Sequence, residues 1–82
     1  MNTTYFDTQA QALDYTYADA RKRGYEVVMP NNPVSYFGHV DYLHTKRYTF
    51  DLIKDGKEQK KCLHVILYRM DSGWYELTHY IQ

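Results

Sequence analysis

The sequence has few of the residues that cross-link a chain, bind phosphate through its backbone or span a membrane. Its 82 residues include one cysteine, Cys62, so no disulfide can form within the chain, which is typical of a reducing compartment. The four glycines form no phosphate-binding loop of the G-x-G-x-x-G or Walker type. No apolar run approaches the roughly 20 residues that cross a bilayer. The polar residues 1–4 lack the basic region of a signal peptide. We therefore expect a cytoplasmic protein that does not enter a membrane.

An excess of charge of either sign is also missing. Ten basic and ten acidic residues cancel, so no global field draws the chain to nucleic acid or anionic lipid. The length predicts a single domain over residues 1–82, whose core must be efficient, or supplemented by an oligomer, because no disulfide supports it. Aromatic residues are abundant, with ten Tyr, three Phe and one Trp. Tyrosine and tryptophan suit half-buried sheet positions and interfaces.

One amphipathic helix is predicted over residues 8–23. Thr8 and Gln11 fit a capping box at its start. The basic residues 21–23 favour the carbonyl end of a helix, and Gly24 is typical of the position that stops it. Spacings of three and four residues predict its buried stripe: Ala10, Leu13, Tyr17 and Ala20.

The remainder is predicted to be mainly antiparallel strand, after a short extended lead-in at residues 3–6. Residues 25–29 have the pattern of a strand, which Pro30 and Pro33 must break. Residues 34–45 fit either a loop or an edge strand with a bulge at Gly38. Three clearer strands follow at residues 48–53, 61–70 and 74–81. The predicted fold class is α+β, with one N-terminal helix packed on a three- to five-stranded antiparallel sheet.

Two turns set the predicted register of the sheet. Asp55 and Gly56 suit a type I′ turn, and residues 71–73 suit a three-residue loop with Gly73 in the left-handed conformation. Leu67 then lies opposite Leu77. One face collects the predicted core: Tyr48, Phe50, Leu52, Leu63, Val65, Leu67, Leu77 and Ile81. The other collects His64, Ile66, Tyr68, Met70, Trp74, Thr78 and Tyr80.

A single helix covers only one face of a sheet, so the second face is expected to meet solvent. Uncovered apolar and aromatic side chains often mark an interaction site. The alternative is that residues 34–45 fold over this face. The predicted protein-binding residues are Ile66, Tyr68, Met70, Trp74 and Tyr80.

The sequence has no arrangement of residues that predicts catalysis or metal binding. None of the four histidines pairs with Cys62 at a structural zinc spacing. His39 and His44 are five residues apart, and His64 and His79 lie on different predicted strands. Cys62 has cationic neighbours, but nothing resembles a positioned triad. We therefore predict no enzyme, no cofactor and no metal site.

A second hypothesis uses the same aromatic residues to stack the bases of a single-stranded nucleic acid. Four cations near that face are candidate phosphate contacts: Lys46, Arg47, Lys60 and Lys61. The neutral net charge and the absence of an RNP-type motif argue against this reading.

The C-terminal hairpin adds a resemblance. Residues 67–78, with the sequence LYRMDSGWYELT, resemble the closing hairpin of small uncharacterised proteins of phages and mobile elements. The size of the chain and its order of helix then sheet are similar to several anti-CRISPR proteins. These share no common motif, so no functional residue carries over. The resemblance implies a small non-catalytic module that binds a host protein; the residues themselves allow a second copy as the partner too.

Overall fold

One helix and six strands make up the residues that the computed structural model describes, which are 2–29, 39–42 and 44–82. The helix, α1, spans Gln9–Lys22. The strands are β1 (Asn2–Phe6), β2 (Glu26–Val27), β3 (His39–Tyr42), β4 (Thr45–Lys54), β5 (Lys57–Arg69) and β6 (Tyr75–Ile81). The described residues include no helix with the length and apolar character needed to cross a bilayer.

Both ends of α1 form as the sequence predicts. Thr8 is extended, and its hydroxyl accepts a hydrogen bond from the Gln11 backbone N–H at 3.2 Å, which satisfies one donor of the first turn. Arg21 and Lys22 lie in the last turn. Gly24 follows with φ of 90°, a conformation that glycine adopts without steric cost.

The buried stripe of α1 differs from the predicted one. Ala10 is exposed and Tyr17 is only partly buried, while Leu13 and Ala20 are buried as expected. Ala12 and Thr16 take the remaining buried positions, since small side chains let a helix lie close to a sheet. Burial of Thr16 is tolerated because its hydroxyl donates to the Leu13 carbonyl at 2.7 Å.

The sheet confirms the predicted α+β class. Its strands run β1-β6-β5-β4-β2, all pairs antiparallel, and β3 also pairs with β4. β2 lies opposite Leu52 and Ile53, whereas β3 lies opposite residues 45–47, so these two short strands follow one another along the same edge of β4. The sheet is therefore five strands wide. The lead-in at residues 3–6 belongs to β1, which pairs with β6.

The least regular part of the sequence is only partly described. β2 is shorter than the predicted strand at residues 25–29, although the Val28 N–H still donates to the Asp51 carbonyl at 2.9 Å. Residues 39–42 form an edge strand, one of the two alternatives for residues 34–45. The predicted bulge at Gly38 and the break at Pro30 and Pro33 lie outside the described residues.

The two predicted turns set the register as expected. Asp55 and Gly56 have φ of 54° and 76°, as a type I′ turn requires. Gly73 has φ of 93°, and across that loop the Met70 N–H donates to the Trp74 carbonyl at 2.8 Å. Leu67 therefore lies opposite Leu77.

The core lies between α1 and one face of the sheet. The predicted core residues of the strands are buried there, with Ile81 partly buried at the margin. Tyr17 packs its ring edge-on against Phe50, with centroids 5.3 Å apart. His79 is also buried, on the same face. The fully buried strand residues are Tyr48, Phe50, Leu52, Leu63, Val65, Leu67 and Leu77.

Candidate interaction face

The face of the sheet turned away from α1 is called the open face here. A strand has such a second face because its successive side chains point to opposite sides of the sheet. Along β5 the buried Leu63, Val65 and Leu67 alternate with side chains that retain solvent contact. No described element packs over this second side, since the helix lies on the first. The residues of β4, β5 and β6 on the open face include Thr45, Arg47, Thr49, His64, Ile66, Tyr68, Glu76, Thr78 and Tyr80.

Three exposed aromatic residues gather at the end of the open face near the β5–β6 hairpin. Tyr68 lies opposite Glu76 on β6, and Glu76 lies opposite Tyr5 on β1, so these side chains share one row. Trp74 and Met70 flank the hairpin loop just beyond that row. Tyr5, Tyr68 and Trp74 are 53%, 43% and 47% exposed, values that leave much of each ring to solvent. We call Tyr5, Tyr68, Met70 and Trp74 the hairpin-end cluster.

Tyr5 was not among the residues predicted from sequence. The sequence predicts only an extended lead-in at residues 3–6, and this prediction assigns no face to Tyr5. Only the structure shows its outward orientation, because Thr4 and Phe6 are partly buried on either side of the exposed Tyr5. Pairing of β1 with β6 adds Tyr5 to the row that contains Tyr68.

The opposite end of the open face is more polar. His64 and Tyr80 stack with ring centroids 4.9 Å apart and planes 19° from parallel. The His64 Nε2 atom lies 3.3 Å from the Gln82 carbonyl oxygen. A shallow groove of about 600 Å³ runs beside them and is lined by Arg47, Ile66, Tyr80, Ile81 and Gln82.

The five predicted binding residues share the open face but do not form one cluster. Tyr80 is six residues from Trp74 along the chain, a separation of roughly 20 Å in an extended strand. Ile66 lies between the two ends, opposite Thr78 and Arg47. Polar side chains thus interrupt the face, which is less apolar than the sequence pattern predicts. The hairpin end holds Tyr68, Met70 and Trp74, the largest group of the five.

The four predicted phosphate contacts are not brought together. Lys46 and Arg47 are neighbours on β4, so they point to opposite sides of the sheet, and only Arg47 is on the open face. Lys60 and Lys61 lie towards the far end of β5, where its register with β4 shifts. Leu67 is the residue opposite Lys46, and six residues separate it from Lys61, which corresponds to roughly 20 Å.

Cys62 has the surroundings of an unreactive thiol. Its Sγ atom lies 3.8 Å from an Asp51 carboxylate oxygen. Burial first, and then the Asp51 carboxylate, raises the pKa of the Cys62 thiol above its ordinary value. The thiolate is the nucleophilic form, and here it is disfavoured. Among the side chains that the structure describes, no three His, Cys, Asp or Glu residues gather as a metal site would need.

Comparisons of the chain with protein-family models, with curated proteins and with solved structures found no match.

Proposed function

We propose that this protein is a non-catalytic protein-binding module whose partner docks on the hairpin-end cluster. The observation that supports the proposal is the joint exposure of Tyr5, Tyr68 and Trp74 at one end of a face that no described element covers. Trp and Tyr are the residues most enriched at binding hot spots, and Met is enriched at interfaces generally. Glu76 and Thr78 beside them supply the polar groups that orient a partner.

The surroundings of the Cys62 thiol support a non-catalytic role. Burial and the Asp51 carboxylate raise the pKa of the Cys62 thiol, which disfavours its nucleophilic thiolate form. The partner is either a second copy of the chain or a host protein, and the resemblance of the C-terminal hairpin to phage and mobile-element proteins favours a host protein. A reducing compartment such as the cytoplasm suits the single unpaired thiol.

The proposal is tested with a matched pair of tyrosines. Tyr68 and Tyr15 are 43% and 44% exposed, but Tyr15 lies on α1, on the other side of the sheet. Because the Tyr15 ring also contacts Phe6 and His79, urea denaturation first confirms that each variant is folded. Sedimentation over a range of concentrations first shows whether the chain self-associates. If it does, Tyr68→Ala and Trp74→Ala should each weaken the dimer by about 2 kcal/mol or more, as hot-spot residues do, while Tyr15→Ala should not.

If the chain is monomeric, a photo-crosslinking residue replaces Tyr68 in one sample and Tyr15 in another, and each is exposed to a host extract. A discrete protein adduct at position 68 and not at position 15 supports the proposal. Equal loss of association in both tyrosine variants, or identical adducts at both positions, contradicts it.

A single-stranded nucleic acid is the second candidate partner. The observation in its favour is that Arg47 lies on the open face and lines the same groove as Tyr80. Arginine beside aromatic rings contacts phosphates and stacks on bases. The scatter of Lys46, Lys60 and Lys61 argues against a continuous phosphate track. Absence of oligonucleotide binding at low salt, where electrostatic attraction is strongest, would eliminate this candidate.

A further inference from the structure

A second cavity lies on the opposite side of the sheet from the open face, where β4 begins and β5 ends. It has a volume of about 240 Å³ and is lined by Gln9, His44, Lys46, Arg69 and Tyr75. Two of these side chains are cations, and none is a carboxylate. In a chain whose charges cancel overall, this is a local concentration of positive charge.

The two cations are held near each other by the register of the sheet. Lys46 lies opposite Leu67, and Arg69 is two residues further along β5 on the same face. Such diagonal neighbours lie about 7–8 Å apart. Among the described residues, no carboxylate forms an ion pair with either cation. Their mutual repulsion would be relieved by an anion placed between them.

Neutral hydrogen-bond donors complete the cavity. The Tyr48 hydroxyl donates to the Gln9 Oε1 atom at 2.9 Å, which fixes the orientation of the Gln9 amide. The Gln9 Nε2 atom then lies 3.5 Å from the Tyr75 hydroxyl, whose own proton can be donated to a ligand. Gln9 is also the first residue of α1, so the positive end of the helix dipole adds to the field of the cations.

We propose that this cavity binds a phosphate monoester dianion, either inorganic phosphate or the phosphate group of a small organic ester. Charge is the first reason, because a phosphate monoester carries about −1.5 to −2 near neutral pH and so matches Lys46 and Arg69 together. The donor set is the second, because the lining combines an arginine fork, an ammonium group, an amide and a hydroxyl, which together suit a group with three terminal oxygens. A phosphodiester such as a nucleic acid backbone carries one charge and fits less well.

The cavity is independent of the hairpin-end cluster, so its test is separate from that of the proposed function. Inorganic phosphate, phenyl phosphate and dimethyl phosphate are titrated into the full chain at low ionic strength and pH 7.5, and backbone amide shifts are followed by NMR. Phosphate or phenyl phosphate should shift the amides of Gln9, Lys46 and Arg69. Dimethyl phosphate should bind at least about tenfold more weakly, since one charged contact is lost.

A matched set of charge deletions tests where the ligand binds. Arg69→Gln and Lys46→Gln should each weaken phenyl phosphate binding at least about tenfold. Lys60→Gln removes the same charge from the far end of β5 and should leave the affinity unchanged. The amide of the buried Leu77 reports in every variant that the fold is intact.

Two results would overturn the proposal. One is the absence of binding by phosphate and by phenyl phosphate at concentrations of about 10 mM, roughly tenfold above a dissociation constant of about 1 mM. The other is an equal loss of affinity in Lys60→Gln and Arg69→Gln, which would indicate attraction by net charge alone.

Discussion

The two sides of β5 carry similar side chains in different surroundings. Val65 and Ile66 are adjacent β-branched aliphatic residues, yet Val65 is fully buried while Ile66 retains solvent contact. The next pair repeats the contrast, because Leu67 is buried and Tyr68 is exposed. The hydrophobicity of a single residue such as Ile66 therefore does not decide whether it enters the core. The packing of α1 decides it.

The helix can lie close to the core face because the side chains that it turns towards the sheet are small. Ala12, Thr16 and Ala20 face the sheet and allow the aromatic rings of Tyr48 and Phe50 to fill the space between the layers. These two rings stack parallel, with centroids 6.4 Å apart. The open face has larger side chains separated by Glu76 and Thr78, a mixture that favours reversible contact over permanent burial.

The largest effect that separates the two faces is expected from neighbouring residues of β6. Leu77 is fully buried, and the next residue, Thr78, is on the open face. Leu77→Ala should lower the free energy of unfolding by about 2–5 kcal/mol, because it removes buried methyl groups and leaves a cavity. Urea denaturation measures this loss.

Thr78→Ala is the matched control for that experiment. It should change the free energy of unfolding by no more than about 1 kcal/mol, the span of strand propensities, because Thr78 is only partly buried and truncation to alanine leaves no core cavity. If the two variants lost similar amounts of stability, the distinction between a core face and an open face would be wrong.

Much of this contrast was predictable, because strand alternation has a period of two. The loop at residues 71–73 sets Leu67 opposite Leu77, and every other position along both strands then follows. The two ends of α1 could likewise be predicted from the sequence. The N-cap hydrogen bond of Thr8 and the end of the helix at Gly24 each depend on a local backbone requirement.

The remaining features depend on contacts between distant segments. The helix stripe includes Thr16 in place of Ala10, because a local hydrogen bond makes a buried threonine tolerable and periodicity does not reveal this. The cavity that we propose as a phosphate site is lined by Gln9, Lys46 and Arg69 from three different elements, so no spacing in the sequence predicts it. Only the pairing of strands brings these residues together.

An intermediate effect is expected from a buried histidine on the core face, His79. His79 is 3% exposed, its Nδ1 atom lies 4.0 Å from an Asp19 carboxylate oxygen, and its Nε2 atom has no hydrogen-bond partner among the described residues. Burial lowers the pKa of His79 below its ordinary value of 6.5, against the opposing effect of the Asp19 carboxylate. The unfolded chain therefore takes up the proton at a higher pH than the folded chain.

This linkage fixes the sign of a pH dependence. The stability that depends on neutral His79 is complete above pH 6.5 and falls as the pH is lowered below that value. One proton limits the slope to about 1.4 kcal/mol per pH unit. Urea denaturation between about pH 7.5 and 5.5, the range around the ordinary histidine pKa, should show stability falling at no more than that slope as the pH is lowered, and His79→Gln should reduce the fall. His64→Gln, on the open face, should leave it in place, and a slope that survives in His79→Gln would contradict the assignment.

The smallest effect is expected at the centre of the hairpin-end cluster. Tyr68→Thr keeps a residue that favours strands and removes an exposed ring, so the free energy of unfolding should change by no more than about 0.5 kcal/mol. The same substitution should abolish or strongly weaken binding of the proposed protein partner, because the ring is an anchor for that partner and not for the fold. Urea denaturation and the crosslinking assay, applied to one variant, measure the two effects side by side.

A loss of stability above about 2 kcal/mol would show that the ring is packed in the folded chain, since changes of that size come from buried sites. The open face would then be a second core surface. The distinction between a buried and an exposed side of β5 would be wrong at Tyr68, the residue on which the proposed binding depends.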